Sequence, residues 1–538
     1  MRHALALALL WTTSAVAQSG IPGTVVIIVG AEPSAPVPMV GGGKQNVDVA
    51  DILFLHLARL GPELITSGDK GFVPELARRW TRRDSLTLAF ELDPRARWHD
   101  GTPVTSRDVL FAFERARDPS ADAQKALLLR YVTSVTAEGP GTVVIRFSRV
   151  YSEQLYDAVF HVQPLPAHLI DSIPRDRLAA SAWVQHPIGN GAYRFVRREA
   201  GQQLELAAVP DFFLGRPGIG RVIFLLARDP DAQMNLLLDG TGDALEGISP
   251  PPNIARVEAT KSLKIITVPT TTVGYLLFNQ RTPGDKSRAH PILADADVRR
   301  ALVMALNRDE IVRAAFGAYA AVPDGPVSQL HWIREGKRLV HFDTAAARAL
   351  LARKGWRDTN RDGVLDQGGR DLTLQLNFPG QSAVRSLIAP LVQEQWRRIG
   401  VKVDLLRLDG PVWSERRDKG DFDVDFSSAV LVPSPTGLVQ SWTCAGRSGS
   451  NVAQFCDPQV DSLMDRAIRG VGDTRKSWHD TIRLMVADAP AAFLYAPSSA
   501  MAVHRRFDRV VIRPESNWAG IWQWRLRPDQ MLPRDRTS

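Results

Sequence analysis

Cysteine is nearly absent, with two residues in 538. That excludes a cystine-rich scaffold and any zinc site built from four thiolates. No run of five basic residues occurs, although 66 Lys and Arg face 58 Asp and Glu for a net charge of +8. The two signs are interspersed, which describes a solvated mixed surface and not the clustered basic face that a nucleic-acid partner needs. No apolar stretch reaches the ~18 residues that suggest a membrane span. Enzyme signatures fail too. There is no H-E-x-x-H and no G-x-S-x-G. Gly43-Lys44 is followed by Gln45, so no Walker loop forms there, and Gly240-Thr241-Gly242 lacks the third glycine of a dinucleotide fingerprint. The 11 histidines show no pair at zinc-ligand spacing on a clear helix face. Internal repeats and low-complexity segments are missing as well.

What is present is a globular balance, 44% hydrophobic and 23% charged, in a chain long enough to bury a large core without cross-links. Met1-Arg2-His3, the apolar run Ala4 to Trp11, and Ala15-Val16-Ala17 before Gln18 have the three-part pattern of a secretory signal peptide. A leader over 1–17, cleaved after about Ala17, places the mature chain outside the cytoplasm. No cysteine near that site offers a lipid anchor. In an oxidising compartment Cys444 and Cys456 are expected to pair.

Strands and helices alternate along the chain. Thr24 to Val29 is a β-branched run. Leu86, Leu88, Phe90 and Leu92 alternate as a one-faced strand, and Thr142 to Phe147, Arg221 to Leu226, Leu263 to Val268 and Tyr275 to Phe278 read as further strands. Helices are expected over Val49 to Leu60, Ser106 to Arg117, Val384 to Ile399 with Pro390 inside it, and Asp297 to about Phe316, the last capped by Asp297. The class is α/β with partly parallel sheets.

Three local patterns carry geometry. Trp98-His99-Asp100-Gly101 is a tight turn in which Asp-Gly supplies the positive φ, Thr105 caps the helix behind it, and Trp98 reads as core. Arg299 stands near Asp295 and Asp297, so a local ion pair is expected. Asp358, Asn360, Asp362 and Asp366, with Gly363 at the sixth position, match the start of a calcium loop, but Gly369 occupies the place of the bidentate Glu. A self-capped Asx turn is the favoured reading and bound calcium the weaker one.

Four segments together resemble the family 5 extracellular solute-binding proteins, the periplasmic peptide and nickel binders of ABC importers. They are Phe72 to Trp80 with Ala96 to Val109; Pro187-Ile188-Gly189-Asn190-Gly191-Ala192-Tyr193-Arg194-Phe195; Phe278-Asn279 with Asp297 to Leu302 and Asn307-Arg308; and Gly420-Asp421-Phe422-Asp423 with Asn451 and Asp461. The resemblance implies a two-lobed type II periplasmic-binding-protein fold with an extra inserted region in the first lobe. Lobe I would take 18–55, 186–270 and 505–538, the insert 56–185, and lobe II 271–504. It implies capture of a peptide or peptide-like solute in an interlobe cleft by hinge closure and delivery to a membrane permease, by a monomer without cofactors, catalysis or nucleic acid. A secreted peptide hydrolase and an envelope sensor or chaperone are the alternatives.

Peptide-binding relatives place an acid after the G-D-F-D segment to hold a free α-amine. Here Ala429-Val430-Leu431-Val432-Pro433 stands in that place, with Asp423 and Asp425 upstream. The resemblance puts Tyr275, Trp413 and Trp442 in cleft-lining segments, offers Asn279 and Arg417 as polar contacts, and runs Met39 past the cleft. Core packing remains the competing reading for each aromatic residue.

Overall fold

The computed structural model describes residues 20–40, 42–119, 123–248 and 252–536. The expected leader, 1–17, lies outside the described residues. Among the described residues, one twelve-stranded sheet runs through the molecule. One half centres on the β-branched strand Thr24–Val29, which pairs in parallel with Arg221–Leu226 and Ala244–Leu245. The antiparallel strands Gln203–Ala208 and Tyr193–Glu199 extend that half outward. The other half centres on Thr373–Pro379, parallel to Lys402–Leu408 and to Val424–Val430, with Thr272–Phe278 antiparallel beyond.

The strand Ala491–His504 joins the halves. Its first residues pair with Thr272–Phe278 and its last with Leu263–Pro269. The chain therefore crosses between the halves at Thr270–Thr271, and again where this strand changes partner, near Ala496–Pro497. Separate cores confirm the division. Val25, Ile27, Phe54 and Tyr193 pack in one, and Leu276, Phe278, Trp396 and Phe426 in another. A third core, with Tyr275, Trp442, Trp478 and Phe493, lies on the opposite face of the second half's sheet. This is the two-lobed α/β fold.

The region 56–185 contains a four-stranded antiparallel sheet and shares the first lobe's core through Leu88, Phe90, Phe113 and Tyr156. Its turn forms as read: the Trp98 N–H donates to Thr102 O at 2.8 Å, Gly101 has φ 89°, and the Trp98 ring is buried. Helix Ser106–Ala116 starts at Thr105, whose own N–H donates to the Asp108 carboxylate at 2.8 Å. Gly189 and Gly191 let the chain run against the end of helix Lys44–Leu53. A Cβ on either would stand 2.1 Å from the carbonyl oxygen of Leu53 or Ile52. Asn190 between them donates its N–H to Leu53 O and accepts from Leu55 N, so this turn braces the lobe.

The structure corrects several local expectations. The helix expected over Val49 to Leu60 spans Lys44–Leu53, and Ala58–Leu60 is a strand. The helix expected from Asp297 to Phe316 is two helices, Ala296–Met304 and Arg308–Phe316. Asn307 breaks the run because its side chain caps the second helix, accepting from Glu310 N, while Asp295 and not Asp297 caps the first. Arg299 makes no local pair. It is buried, donates to Asp488 at 2.7 Å, and reaches the carbonyls of Leu293, Ala294 and Ala489. A guanidinium with five donors in a dry site satisfies them on backbone oxygens. Cys444 and Cys456 are joined as a disulfide, their Cα atoms 4.4 Å apart.

Candidate functional site

Ligands of open parallel sheets bind beyond the carboxyl ends of the strands. In the second lobe those ends are Pro379, Leu408 and Val430. Helix Ala383–Arg397 follows the first, capped by Ser382, and helix Gly410–Lys419 follows the second. Trp413 and Arg417 stand one turn apart on the latter and share a face. The Trp413 Nε1–H donates to Asp425 Oδ1 at 2.7 Å. Arg417 Nε lies 3.8 Å from Asp425 Oδ2, and Ser427 donates its hydroxyl to the same carboxylate.

Arg385 completes the group from the first turn of the neighbouring helix. Its guanidinium lies 5.4 Å from the Trp413 ring and that of Arg417 5.8 Å from it. One indole thus serves two cations, an arrangement stabilised by the ring's negative face. Arg385 Nη2 donates to Ser428 Oγ at 2.8 Å. The Nε groups of both Arg385 and Arg417 are buried without a hydrogen-bond partner. Burial pushes the Asp425 carboxyl up to about 6, opposed by the bond from Ser427, the Arg417 charge, the Trp413 bond and the Arg385 charge. Two guanidinium groups and one carboxylate leave a net positive site with unsatisfied donors, which suits an anionic group on a solute.

Beyond this cluster the strand ends in apolar surface. Val430 is 79% exposed and Val432 55% exposed. His331 Nε2 lies 3.0 Å from Val432 O, and burial holds its imidazole down to about 4, so it faces that carbonyl as a neutral ring. Asp423 points away from this surface. It accepts from His290 Nε2 at 2.9 Å and from Gln375 N at 2.8 Å, which fixes strand register.

The six residues singled out from sequence fall in different places. Trp413 and Arg417 come together as described. Tyr275 is buried beside them, and burial pushes its hydroxyl up to about 12. Trp442 lies behind Tyr275, their ring centres 5.9 Å apart and both against Phe493, so these rings are core. Asn279 is corrected from a ligand contact to a loop clamp. Its Nδ2 donates to Gly420 O and Phe422 O at 3.0 and 2.9 Å, and its Oδ1 accepts from Arg281 N at 3.0 Å. Met39, at φ 69°, lies across in the first lobe. It lines a cavity of about 230 Å³ with Val37, His56, Phe160 and Gln163.

Arg385 was missed. Its role depends on two helices meeting beside one strand end, which no local sequence pattern records; the N-capping Ser382 after a strand was the available signal. The Asp358 loop uses its own oxygens. Asp358 Oδ2 accepts from Gly363 N, Asn360 Oδ1 from Asp362 N, and Asp362 Oδ1 from Val364 N, while Asp366 Oδ2 accepts from Thr359.

Residues 71–450 match the bacterial extracellular solute-binding proteins, family 5 middle. The oligopeptide-binding protein AppA of Bacillus subtilis is 25% identical over 441 residues, covering 80% of this chain and 79% of that protein. A putative ABC transporter peptide-binding protein of Brucella ovis is 27% identical over 463 residues, with coverages of 83% and 84%. Among solved structures, the substrate-binding protein CtaP of Listeria monocytogenes overlays with a TM-score of 0.78 at 21% identity, covering 94% of this chain and 100% of that one. AppA in complex with a nonapeptide overlays with a TM-score of 0.69 at 23% identity, with coverages of 94% and 99%. The match extends over more than half the chain, and with it the protein belongs to the family 5 bacterial extracellular solute-binding proteins.

Proposed function

We propose that this protein is the periplasmic receptor of an ABC importer, a monomer that captures a peptide or peptide-like solute between its lobes and hands it unaltered to a membrane permease. The observation that carries this reading is the Arg385–Trp413–Arg417 group standing at the carboxyl ends of lobe II strands, in a molecule whose halves are joined at Thr270–Thr271 and near Ala496–Pro497. Two narrow crossings act as a hinge, and enclosure of a solute strengthens its hydrogen bonds by excluding water. The peptide-binding names of the relatives support the solute class.

In this reading lobe I takes 18–55, 186–270 and 505–538, the insert 56–185, and lobe II 271–504. The two guanidinium groups take a carboxylate of the solute, and the exposed Val430 and Val432 take an uncharged part of it. The first-lobe cavity beside Met39 receives the opposite end. The groups gathered here hold charge and shape, and the Asp425 carboxylate is committed to Trp413 and Ser427, so the site suits binding and not bond cleavage. No helix among the described residues is long and apolar enough to cross a membrane, and export by the 1–17 leader belongs to the same proposal.

Native mass spectrometry with pools of peptides, opines, sugars and metal chelates, paired with small-angle scattering, tests it. A bound solute of unchanged mass, accompanied by a fall in radius of gyration, is the expected result. Failure of every pool, or recovery of a cleaved solute, overturns it.

A further inference from the structure

Away from the hinge, the insert touches lobe II at a second place, and a carboxyl group is buried there. Glu153 is fully enclosed at the start of helix Gln154–Phe160. Thr66 donates its hydroxyl to Glu153 Oε1, and Ser434 of lobe II lies 2.6 Å from Glu153 Oε2. Trp332 of lobe II donates its indole N–H to Thr66 Oγ1 at 3.0 Å. One residue before Glu153, the Ser152 N–H donates to Ile468 O at 2.8 Å, again across to lobe II. Ser434 Oγ also lies 2.7 Å from Thr436 Oγ1.

The hydrogens can be placed along this chain of groups. The Trp332 N–H fills the acceptor side of Thr66, so the Thr66 hydroxyl hydrogen goes to Glu153 Oε1. If Oε2 carries a proton, it donates to Ser434 Oγ, whose own hydrogen then goes to Thr436 Oγ1. A neutral carboxyl satisfies each member with one donor per contact. An ionised one is surrounded by hydroxyls, with no cation among the described residues to balance it. The surrounding ionisable groups add none. Asp157, Tyr151 and Tyr156 lie on its own segment. Arg82, from the adjoining strand, is bound to Asp69 and to Gln154. From lobe II, His331 is neutral beside Val432 O, and Arg475 sits over the Trp332 ring, 5.7 Å from its centre.

We infer that Glu153 is a proton-operated latch between the insert and lobe II, held shut while its carboxyl is protonated and loosened when it ionises. The inference rests on the two-lobe reading for its moving parts and on no ligand. Burial pushes this carboxyl up to about 7, against hydrogen bonds from Ser434, Thr66 and Thr436, and the Asp157 charge raises it further. The sign follows. A carboxyl raised in the shut seam and ordinary in an opened, hydrated one favours the shut form at low pH. That preference is lost as pH rises through the window from the ordinary carboxyl value to about 7. Because Ser434 follows Val432-Pro433 directly, the latch also acts on the apolar end of the solute site.

Hydrogen–deuterium exchange of the Ser152 amide, measured without solute at pH 5.5 and 8.5 and corrected for intrinsic rate, reads the seam directly. Protection is expected to fall about tenfold or more between the two pH values. In Glu153→Gln, whose side chain stays neutral, the fall is expected to disappear. Ser434→Ala, which keeps the carboxyl and removes its lobe II partner, should lower protection at both pH values. Equal protection of the wild-type amide at both pH values overturns the inference, as does a Gln variant that keeps the full fall or a Ser434→Ala protein with unaltered protection. Solute binding is not read in any arm, so failure of the receptor reading remains distinguishable.

Discussion

Two buried acidic sites solve the same problem in opposite ways. In lobe I, Asp243 and Asp535 are fully buried around Arg506, which is itself fully buried. Asp243 accepts from Arg506 Nε at 2.9 Å, from Arg534 at 2.8 Å and from Val26 N at 2.9 Å, and Asp535 accepts from Arg506 and from Thr24 N. Charges and backbone donors saturate every oxygen. At the seam between insert and lobe II, Glu153 has hydroxyl partners and no counter-ion among the described residues. The first arrangement ties the strand Thr24–Val29 to the chain's last segment and cannot be altered piecemeal. The second is satisfied as a neutral carboxyl, and ionising it places an unbalanced charge in the seam. A fixed joint and a movable one are told apart by what surrounds the acid, not by how deeply it lies.

The comparison predicts its own largest effect. Arg506→Met takes the buried cation from Asp535 and leaves Asp243 with Arg534 alone, and breaking comparable buried pairs costs about 3–5 kcal/mol of stability. Urea unfolding followed by tryptophan fluorescence should show this loss, whereas Glu153→Gln should shift the same curve far less. If Arg506→Met costs under about 1 kcal/mol, the description of that site as a fixed joint fails.

Reduction of the Cys444–Cys456 bridge comes next. It closes a loop with sequence separation 12, and chain entropy assigns such a loop about 3 kcal/mol. The loss should fall on lobe II, so that transition should move to lower denaturant in the Cys444→Ala/Cys456→Ala protein while lobe I holds.

The proposed solute site lies between the two extremes, because Asp425 is paired on one side and hydroxyl-bound on the other. Its carboxyl is raised to about 6, mainly by burial. Ionisation is therefore less favourable folded than unfolded, and its contribution to stability falls as pH rises from the ordinary carboxyl value through about 6. In Asp425→Asn that slope of melting temperature against pH should flatten. Arg385→Ala should lower affinity for an acidic solute roughly tenfold or more, with little change in melting temperature, since a charge-assisted contact is lost from a half-exposed side chain. A melting temperature that collapses with affinity would make Arg385 structural and not part of the site.

Sequence reading reached those features whose causes are local. The Asp-Gly turn and the Thr105 cap both follow from two or three neighbouring residues. Trp413 and Arg417 were each offered by the family resemblance, and the helix Gly410–Lys419 sets them one turn apart. Arg385 was not legible, because its partners come from another helix and a strand end. Tyr275 and Trp442 show the opposite limit. An aromatic ring in a cleft-lining segment satisfies burial equally well by turning into the core, and Phe493, far along the chain, decides that it does. Asn307 broke an expected helix for a similar reason. A run of apolar residues at helical spacing does not show that one polar side chain within it will accept from Glu310 N, three residues ahead, and start a new helix.

The smallest expected effect concerns the loop Asp358–Asp366. Its carboxylates resemble an ion site in sequence, yet Asp358 accepts from Gly363 N at 3.1 Å and Asp362 from Val364 N at 2.8 Å, and Asp366 holds Thr359 through both its N–H and its hydroxyl. These bonds give the loop its turn without a cation, as side chains of Asx turns do. The loop is also exposed, unlike Glu153 or Asp243, so its charges face water and carry little folding energy. Millimolar calcium, or a chelator, should accordingly move the melting temperature by less than about 1 °C, and Asp362→Ala should do no more than fray the turn. A calcium-dependent rise of several degrees that Asp362→Ala abolishes would place a third kind of acidic site in this molecule, one stabilised by a captured ion and neither by an internal cation nor by a retained proton.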